Sequence, residues 1–175
     1  MSFIREVWTD IEVCDEIISY FDSRQVSKAN VSENIKDSFD LYVDKKELST
    51  YYEFLKKEIL TYVGYFIYSE NNLDIAEPMI IQKYPIGGGY KLWHCERNHP
   101  INYHRQLSFM TYLNTVLDGG TEFVYQNKVV QAVKSKTLIW PADWTHTHRS
   151  QISSTTEKYI VTGWINTVDY DPRTQ

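Results

Sequence analysis

The sequence predicts an α+β fold, with helices in the first third and a mostly antiparallel sheet, sandwich or barrel in the rest. Two patterns carry that reading. Up to about residue 76 apolar residues recur at spacings of three and four, the period of a helix face. From about residue 77 they fall into short pieces rich in β-branched and aromatic residues, separated by turn-forming clusters. Helices first and strands afterwards is the order an α+β domain presents.

The first helix is predicted over "IEVCDEIISYF", where Ile11, Cys14, Ile18 and Phe21 form one apolar stripe. The polar stretch "SRQVSKANVSENIKDSFD" then reads as a surface loop. A second helix follows in "KKELSTYYEFLKKEILTYVGYFI", with Leu48, Tyr52, Leu55, Ile59 and Val63 on one side. Strands are predicted in "PMIIQKY", "LSFMTYLN", "EFVYQ", "KTLIWP" and "KYIVTGWI". The segments "PIGGGY", "LDGGT", "YQNK" and "PADW" carry turn chemistry. The 175 residues thus read as one domain, with helical support over about 1–76 and a β core over about 77–168.

Composition narrows the function classes. Hydrophobic residues make up 42% and aromatics 15%, a globular balance that argues against disorder. The net charge of −5 argues against a general nucleic-acid binder, which presents a basic face. No apolar run reaches the roughly 18–20 residues of a membrane span, and "MSFIREVWTD" places charges where a signal peptide needs its apolar core. Cys14 and Cys95 make no CxxC pair, so the expected setting is a reducing cytoplasm.

The five histidines carry the chemical signal. His94, His99, His104, His146 and His148 all lie in two stretches, "LWHCERNHPINYHRQ" and "PADWTHTHRS". His94 and Glu96 form a His-x-Glu pair in a region that reads as strand. There residues two apart share a face, so imidazole and carboxylate project together while Cys95 points away. A further histidine from a distant strand would complete two nitrogens and one oxygen, the set that leaves positions open on iron(II). From the residues alone, His146 and His148 are equal candidates, and an ordinary strand ion pair at His94–Glu96 explains that pair as well. A cupin-type site of three histidines and one glutamate is a second reading. A non-catalytic β-barrel gripping a ligand with its aromatics is a third.

An ordered series of elements from Tyr84 to Trp164 resembles the 2-oxoglutarate- and Fe(II)-dependent oxygenases, in particular their prolyl 4-hydroxylase-like branch. The series is "YPIGGGYKLWHCE", "RQLSFMTYLNTVLDGGTEF" and "LIWPADWTHTHR…EKYIVTGW". The resemblance implies a double-stranded β-helix, or jelly roll, with helices packed outside. It implies metal ligation by His94, Glu96 and His148; His148 is preferred over His146 because Lys158 follows it by ten residues, as the family's basic residue does. Glu96 departs from the family's usual aspartate. Lys158 would hold the far carboxylate of 2-oxoglutarate, with Tyr84, Tyr112 and Thr121 around it and Trp164 lining the site. A cupin carries its His-x-His first, the reverse of the order here, and would leave Lys158 without a role. The implied activity couples O2 and decarboxylation of 2-oxoglutarate to succinate and CO2 with hydroxylation of an unactivated C–H, foremost a prolyl residue in a peptide or protein. Small molecules are the alternative substrates, and ascorbate is the implied reductant. Residues 97–104 would form a lid, with His99 and His104 at the surface and Arg105 paired with a carboxylate.

Overall fold

A computed structural model of the chain describes residues 2–69 and 72–168; residues 1, 70, 71 and 169–175 of the expected domain lie outside the described residues. The chain begins with β1 (Arg5–Trp8), then α1 (Ile11–Asp22), and three short strands β2 (Ser27–Lys28), β3 (Lys36–Asp37) and β4 (Phe39–Val43). Next come α2 (Ser49–Tyr65), β5 (Leu73–Asp74), β6 (Met79–Tyr84) and β7 (Gly89–Tyr90). The remainder is β8 (Arg105–Tyr112), β9 (Val116–Phe123), β10 (Lys128–Ala132), β11 (Lys136–Pro141), β12 (His148–Ser150) and β13 (Lys158–Thr167). The N-terminal third is therefore not purely helical: the polar stretch read as a loop contributes β2, β3 and β4, whose backbone bonds go to neighbouring strands. No described helix is long and apolar enough to cross a membrane.

The strands form a large sheet in the order β1-β11-β8-β13-β6-β4-β2, with β5 also on β13, and a three-stranded sheet in the order β10-β9-β12. A two-stranded ribbon joins β3 to β7. Pairing is antiparallel between every pair of neighbours. The strand period of two divides the large sheet into two faces. Met79, Ile81, Leu107, Phe109, Ile139, Val161 and Ile165 face the helices, where they pack with Cys14, Ile17, Phe21, Leu55 and Ile59. Tyr84, Met110, Tyr112, Leu138, Trp140 and Ile160 face the other way and meet Val116, Phe123, Val130 and Ala132 of the small sheet. Two sheets closed over one core with helices outside is the double-stranded β-helix that the resemblance implies.

Both predicted helices form, and most of each expected stripe is buried, with the centre of the stripe shifted slightly. The buried residues of α1 are Val13, Cys14, Ile17 and Phe21, whereas Ile11 is 55% exposed. In α2 the expected Leu55 and Ile59 are buried together with Tyr51 and Tyr62, Tyr52 packs partly buried against the same core, and Val63 lies outside that core cluster. Apolar residues flank the stripe on both sides in each helix, so the period is set locally while its phase depends on what the sheet accepts. One turn is corrected too. "LDGGT" lies inside β9, and the strand expected at "EFVYQ" ends at Phe123. A Cβ at Gly120 would lie 2.4 Å from the Val130 carbonyl oxygen, so this glycine permits close strand approach and does not mark a reversal. The strand β10, which follows, had no expectation attached to it.

Candidate metal centre

Two distant segments meet through one isolated bridge: His94 and His148 exchange backbone hydrogen bonds of 3.0 and 2.9 Å. His94 therefore sits in extended backbone just past β7, and not within a regular strand. The extended geometry still places Glu96 on the same side. Its Oε1 lies 3.5 Å from His94 Nε2 and 3.6 Å from His148 Nε2. These three residues form a cluster whose donor atoms all lie within 4.8 Å of one another. Cys95 adds no atom to that cluster, although it borders the adjoining cavity.

The hydrogen bonds behind the cluster fix which ring nitrogen is free. His94 Nδ1 faces the Leu92 carbonyl at 3.0 Å and His148 Nδ1 faces the His146 carbonyl at 2.9 Å. A carbonyl only accepts, so Nδ1 carries the hydrogen and Nε2 offers its lone pair toward Glu96. Tyr90 stacks on the His94 ring at 3.6 Å, and Trp140 meets the His148 ring edge-on at 5.1 Å. Burial, reinforced by His94, lowers the His148 pKa to about 4, so this imidazole is neutral at ordinary pH. Burial on its own would raise the Glu96 pKa. The neighbouring His94 and His148, with the Trp164 indole, outweigh it and hold the carboxyl at about 2. Two imidazole nitrogens and one carboxylate oxygen, converging from one side, suit iron(II) with open positions.

His146 is placed elsewhere. Its ring is buried, with Nε2 against the Ser2 carbonyl at 2.8 Å and Nδ1 beside Thr145 Oγ1 at 3.0 Å. Both nitrogens are thus occupied, Nε2 in anchoring the start of the chain and Nδ1 by its neighbour Thr145, and the three-histidine cupin reading fails on that geometry. His99 caps a short 3-10 turn over Pro100–Asn102, and His104 contacts Glu77.

A cavity of about 310 Å³ opens beside the cluster, and its walls include Tyr84, Met110, Thr121, Trp140, Ile160 and Trp164. Lys158 is buried on the inward face of β13, in register with the cavity-lining Tyr84 and with its ammonium 5.4 Å from the centre of that ring, but it is not itself on the cavity wall. Its ammonium donates to the carbonyls of Gly119 at 2.7 Å and Gln151 at 3.2 Å. Burial lowers its pKa to about 8, opposed by Asp118, and no carboxylate lies within ion-pair distance of it among the described residues. A buried ammonium held by two carbonyls and an aromatic ring, with no described carboxylate beside it, is short of an anion. Tyr84 donates to Gln82 Oε1 at 2.6 Å, and Tyr112 shares a 2.6 Å hydrogen bond with Thr121. The Tyr112 hydroxyl thus stands behind Thr121, which is the group on the cavity wall.

Three contacts were not expected from the residues. Trp164 donates from its indole nitrogen to Glu96 Oε2 at 2.7 Å. Arg105 does pair with a carboxylate, Glu77, through bonds of 2.9 and 2.6 Å, but its guanidinium also covers the Trp164 ring at 3.4 Å. Lys36 borders the cavity while paired with Asp40 at 2.5 Å. The even spacing from Lys158 to Trp164 put both side chains on one face of β13, a usable signal; nothing local pointed to Lys36.

The family model of the 2OG-Fe(II) oxygenase superfamily matches residues 79–166, the span from β6 to β13. No curated protein matches the sequence significantly. Among solved structures, a prolyl-4-hydroxylase from Pseudomonas putida is similar with a TM-score of 0.74 at 14% identity, covering 97% of this chain and 95% of that one. The viral collagen prolyl hydroxylase vCPH from Paramecium Bursaria Chlorella virus-1, as its 2OG complex, gives 0.73 at 14% identity, covering 95% and 97%. A prolyl hydroxylase from Trichoplax adhaerens, in complex with a hypoxia inducible factor oxygen degradation domain peptide fragment, gives 0.71 at 15% identity, covering 95% and 84%.

Proposed function

Because the chain belongs to the 2OG-Fe(II) oxygenase superfamily and is by that membership a 2-oxoglutarate/Fe(II)-dependent dioxygenase, we propose that it hydroxylates a prolyl residue in a peptide or protein. The observation that carries the site assignment is the convergence of His94 Nε2, His148 Nε2 and Glu96 Oε1 beside a cavity lined by Tyr84 and Thr121, with the buried Lys158 ammonium facing the Tyr84 ring. The prolyl substrate is supported by fold similarity to prolyl hydroxylases over nearly the whole chain, one of them with a bound peptide fragment.

When bound, iron(II) with 2-oxoglutarate and O2 supplies the oxidation: one oxygen atom enters the substrate C–H, the other enters succinate, and CO2 leaves. The chain's own residues hold and orient. His94, Glu96 and His148 would hold the metal. Lys158 would take the far carboxylate of the cosubstrate, with Tyr84 and Thr121 beside it and Tyr112 fixing the Thr121 hydroxyl. Met110, Trp140 and Ile160 give the cavity an apolar wall that limits water at the reacting centre. Ascorbate would keep the iron reduced, and the free thiols of Cys14 and Cys95 favour a reducing compartment.

The test is turnover of 2-oxoglutarate to succinate with Fe(II) and ascorbate, against proline-containing peptides and free amino acids. Peptide-stimulated succinate, with one added oxygen on a prolyl residue by mass spectrometry, is the expected outcome. Stimulation by a free amino acid and by none of the peptides would overturn the peptide assignment.

A further inference from the structure

We infer that Trp164 is a positioning residue that fits a glutamate to the acidic ligand place, leaving Oε1 of Glu96 as the one carboxylate oxygen turned toward the two imidazoles. The inference rests on the metal-site reading above. Glutamate has one more rotatable bond than aspartate, and in an open cavity its carboxylate can swing or present both oxygens. Here Oε2 is occupied: the Trp164 indole nitrogen donates to it at 2.7 Å. An indole N–H donates and cannot accept, so the direction of this bond is unambiguous. The remaining oxygen, Oε1, is the one that lies 3.5 and 3.6 Å from the Nε2 atoms.

The indole is itself fixed. It stands on the inward face of β13, and the Arg105 guanidinium lies over its ring at 3.4 Å. Arg105 is locked by two hydrogen bonds to Glu77, and Glu77 also accepts from Asn166 Nδ2 at 2.8 Å, two residues beyond Trp164 on the same strand. A continuous chain of contacts therefore runs from Glu77 through Arg105 and Trp164 to Glu96. A shorter aspartate in place of Glu96 would not bring its carboxylate to the same position, so indole and carboxylate should act as a coupled pair.

Co(II) alone is the probe, titrated into the purified full chain by calorimetry and visible absorption. Trp164→Phe keeps a ring and removes the donor. It should weaken Co(II) binding by about tenfold, the scale of lost outer-shell hydrogen bonds, and change the visible spectrum of the bound ion. Glu96→Asp alone should stay within about threefold of the parent, and adding Trp164→Phe to it should change affinity by less than about twofold. Arg105→Met, which frees the indole without touching it, should weaken binding only while Glu96 is present, and serves if Trp164→Phe fails a thermal-melt check. Unchanged Co(II) affinity in Trp164→Phe, or an equal loss whether it is made in the parent chain or in the Glu96→Asp variant, would overturn the positioning role. A parent chain that binds no Co(II), or His148→Ala binding it normally, would instead overturn the metal site and this inference with it.

Discussion

Lys158 shows what a single buried charge demands. Its ammonium is held by two backbone carbonyls in a site where burial already lowers its pKa to about 8. Lys158→Ala should therefore raise the KM for 2-oxoglutarate by the equivalent of roughly 2–4 kcal/mol while Co(II) affinity without cosubstrate stays unchanged; steady-state kinetics and calorimetry check the two halves. His148 sets the acid limit. Its folded pKa of about 4 lies below the ordinary 6.5, so between those values the unfolded chain binds a proton that the native chain refuses. Stability of the metal-free protein should fall as pH drops from 6.5 to 4, by on the order of 3 kcal/mol. Glu96, held at about 2 against an ordinary 4.5, adds a second loss as pH falls from 4.5 toward 2. Urea denaturation at a series of pH values measures this, and His148→Gln should flatten the upper step. At this scale the His94–Glu96 pair was legible because two-residue spacing on extended backbone is a local property. The preference for His148 came from its interval to Lys158, and what occupies His146, a carbonyl at Ser2, is a contact no spacing reveals.

At the scale of elements, period proved more legible than phase. The apolar rhythm of α1 and α2 was plain, and Cys14, Phe21, Leu55 and Ile59 are buried as expected. Val13, Ile17, Tyr51 and Tyr62 join them in place of Ile11 and Val63, because the sheet face beneath the helices selects the stripe that fills it. Leu55, fully buried in α2, should cost about 2–5 kcal/mol when replaced by alanine, measured by chemical denaturation. The glycines separate two meanings of one residue type. Gly64, in α2, has nothing within 4 Å of an added Cβ, so Gly64→Ala should stabilise the protein by about 0.5–1 kcal/mol. Gly120→Ala meets a backbone oxygen at 2.4 Å and should destabilise by about 1–3 kcal/mol. It should also raise the KM for 2-oxoglutarate, since Thr121 and the Lys158-bonded carbonyl of Gly119 flank it. A glycine pair beside an aspartate reads as a turn locally, and only the approach of β10 shows otherwise.

For the whole molecule, the site joins parts that are far apart in the chain, so ligand binding should be felt as global stability. Co(II) with 2-oxoglutarate, each at about 100 times its dissociation constant, should stabilise the fold by about 2.7 kcal/mol per bound ligand. A thermal melt checks this, and His148→Ala should abolish the shift. The sequence by itself determined the class of fold, the two helices and the strands β6, β8, β11 and β13, the His-x-Glu pair and, through the ordered run from Tyr84 to Trp164, the oxygenase family. These follow from chain periodicity and from residues held at set intervals, which are properties of neighbours. Tertiary structure alone decided that His94 and His148 share a backbone bridge, that Tyr90 stacks on His94, and that Trp164, 68 residues away, clamps Glu96. Such contacts depend on strand register and on which polar atoms burial forces together. That free-energy balance is struck only once both sheets have closed over one core.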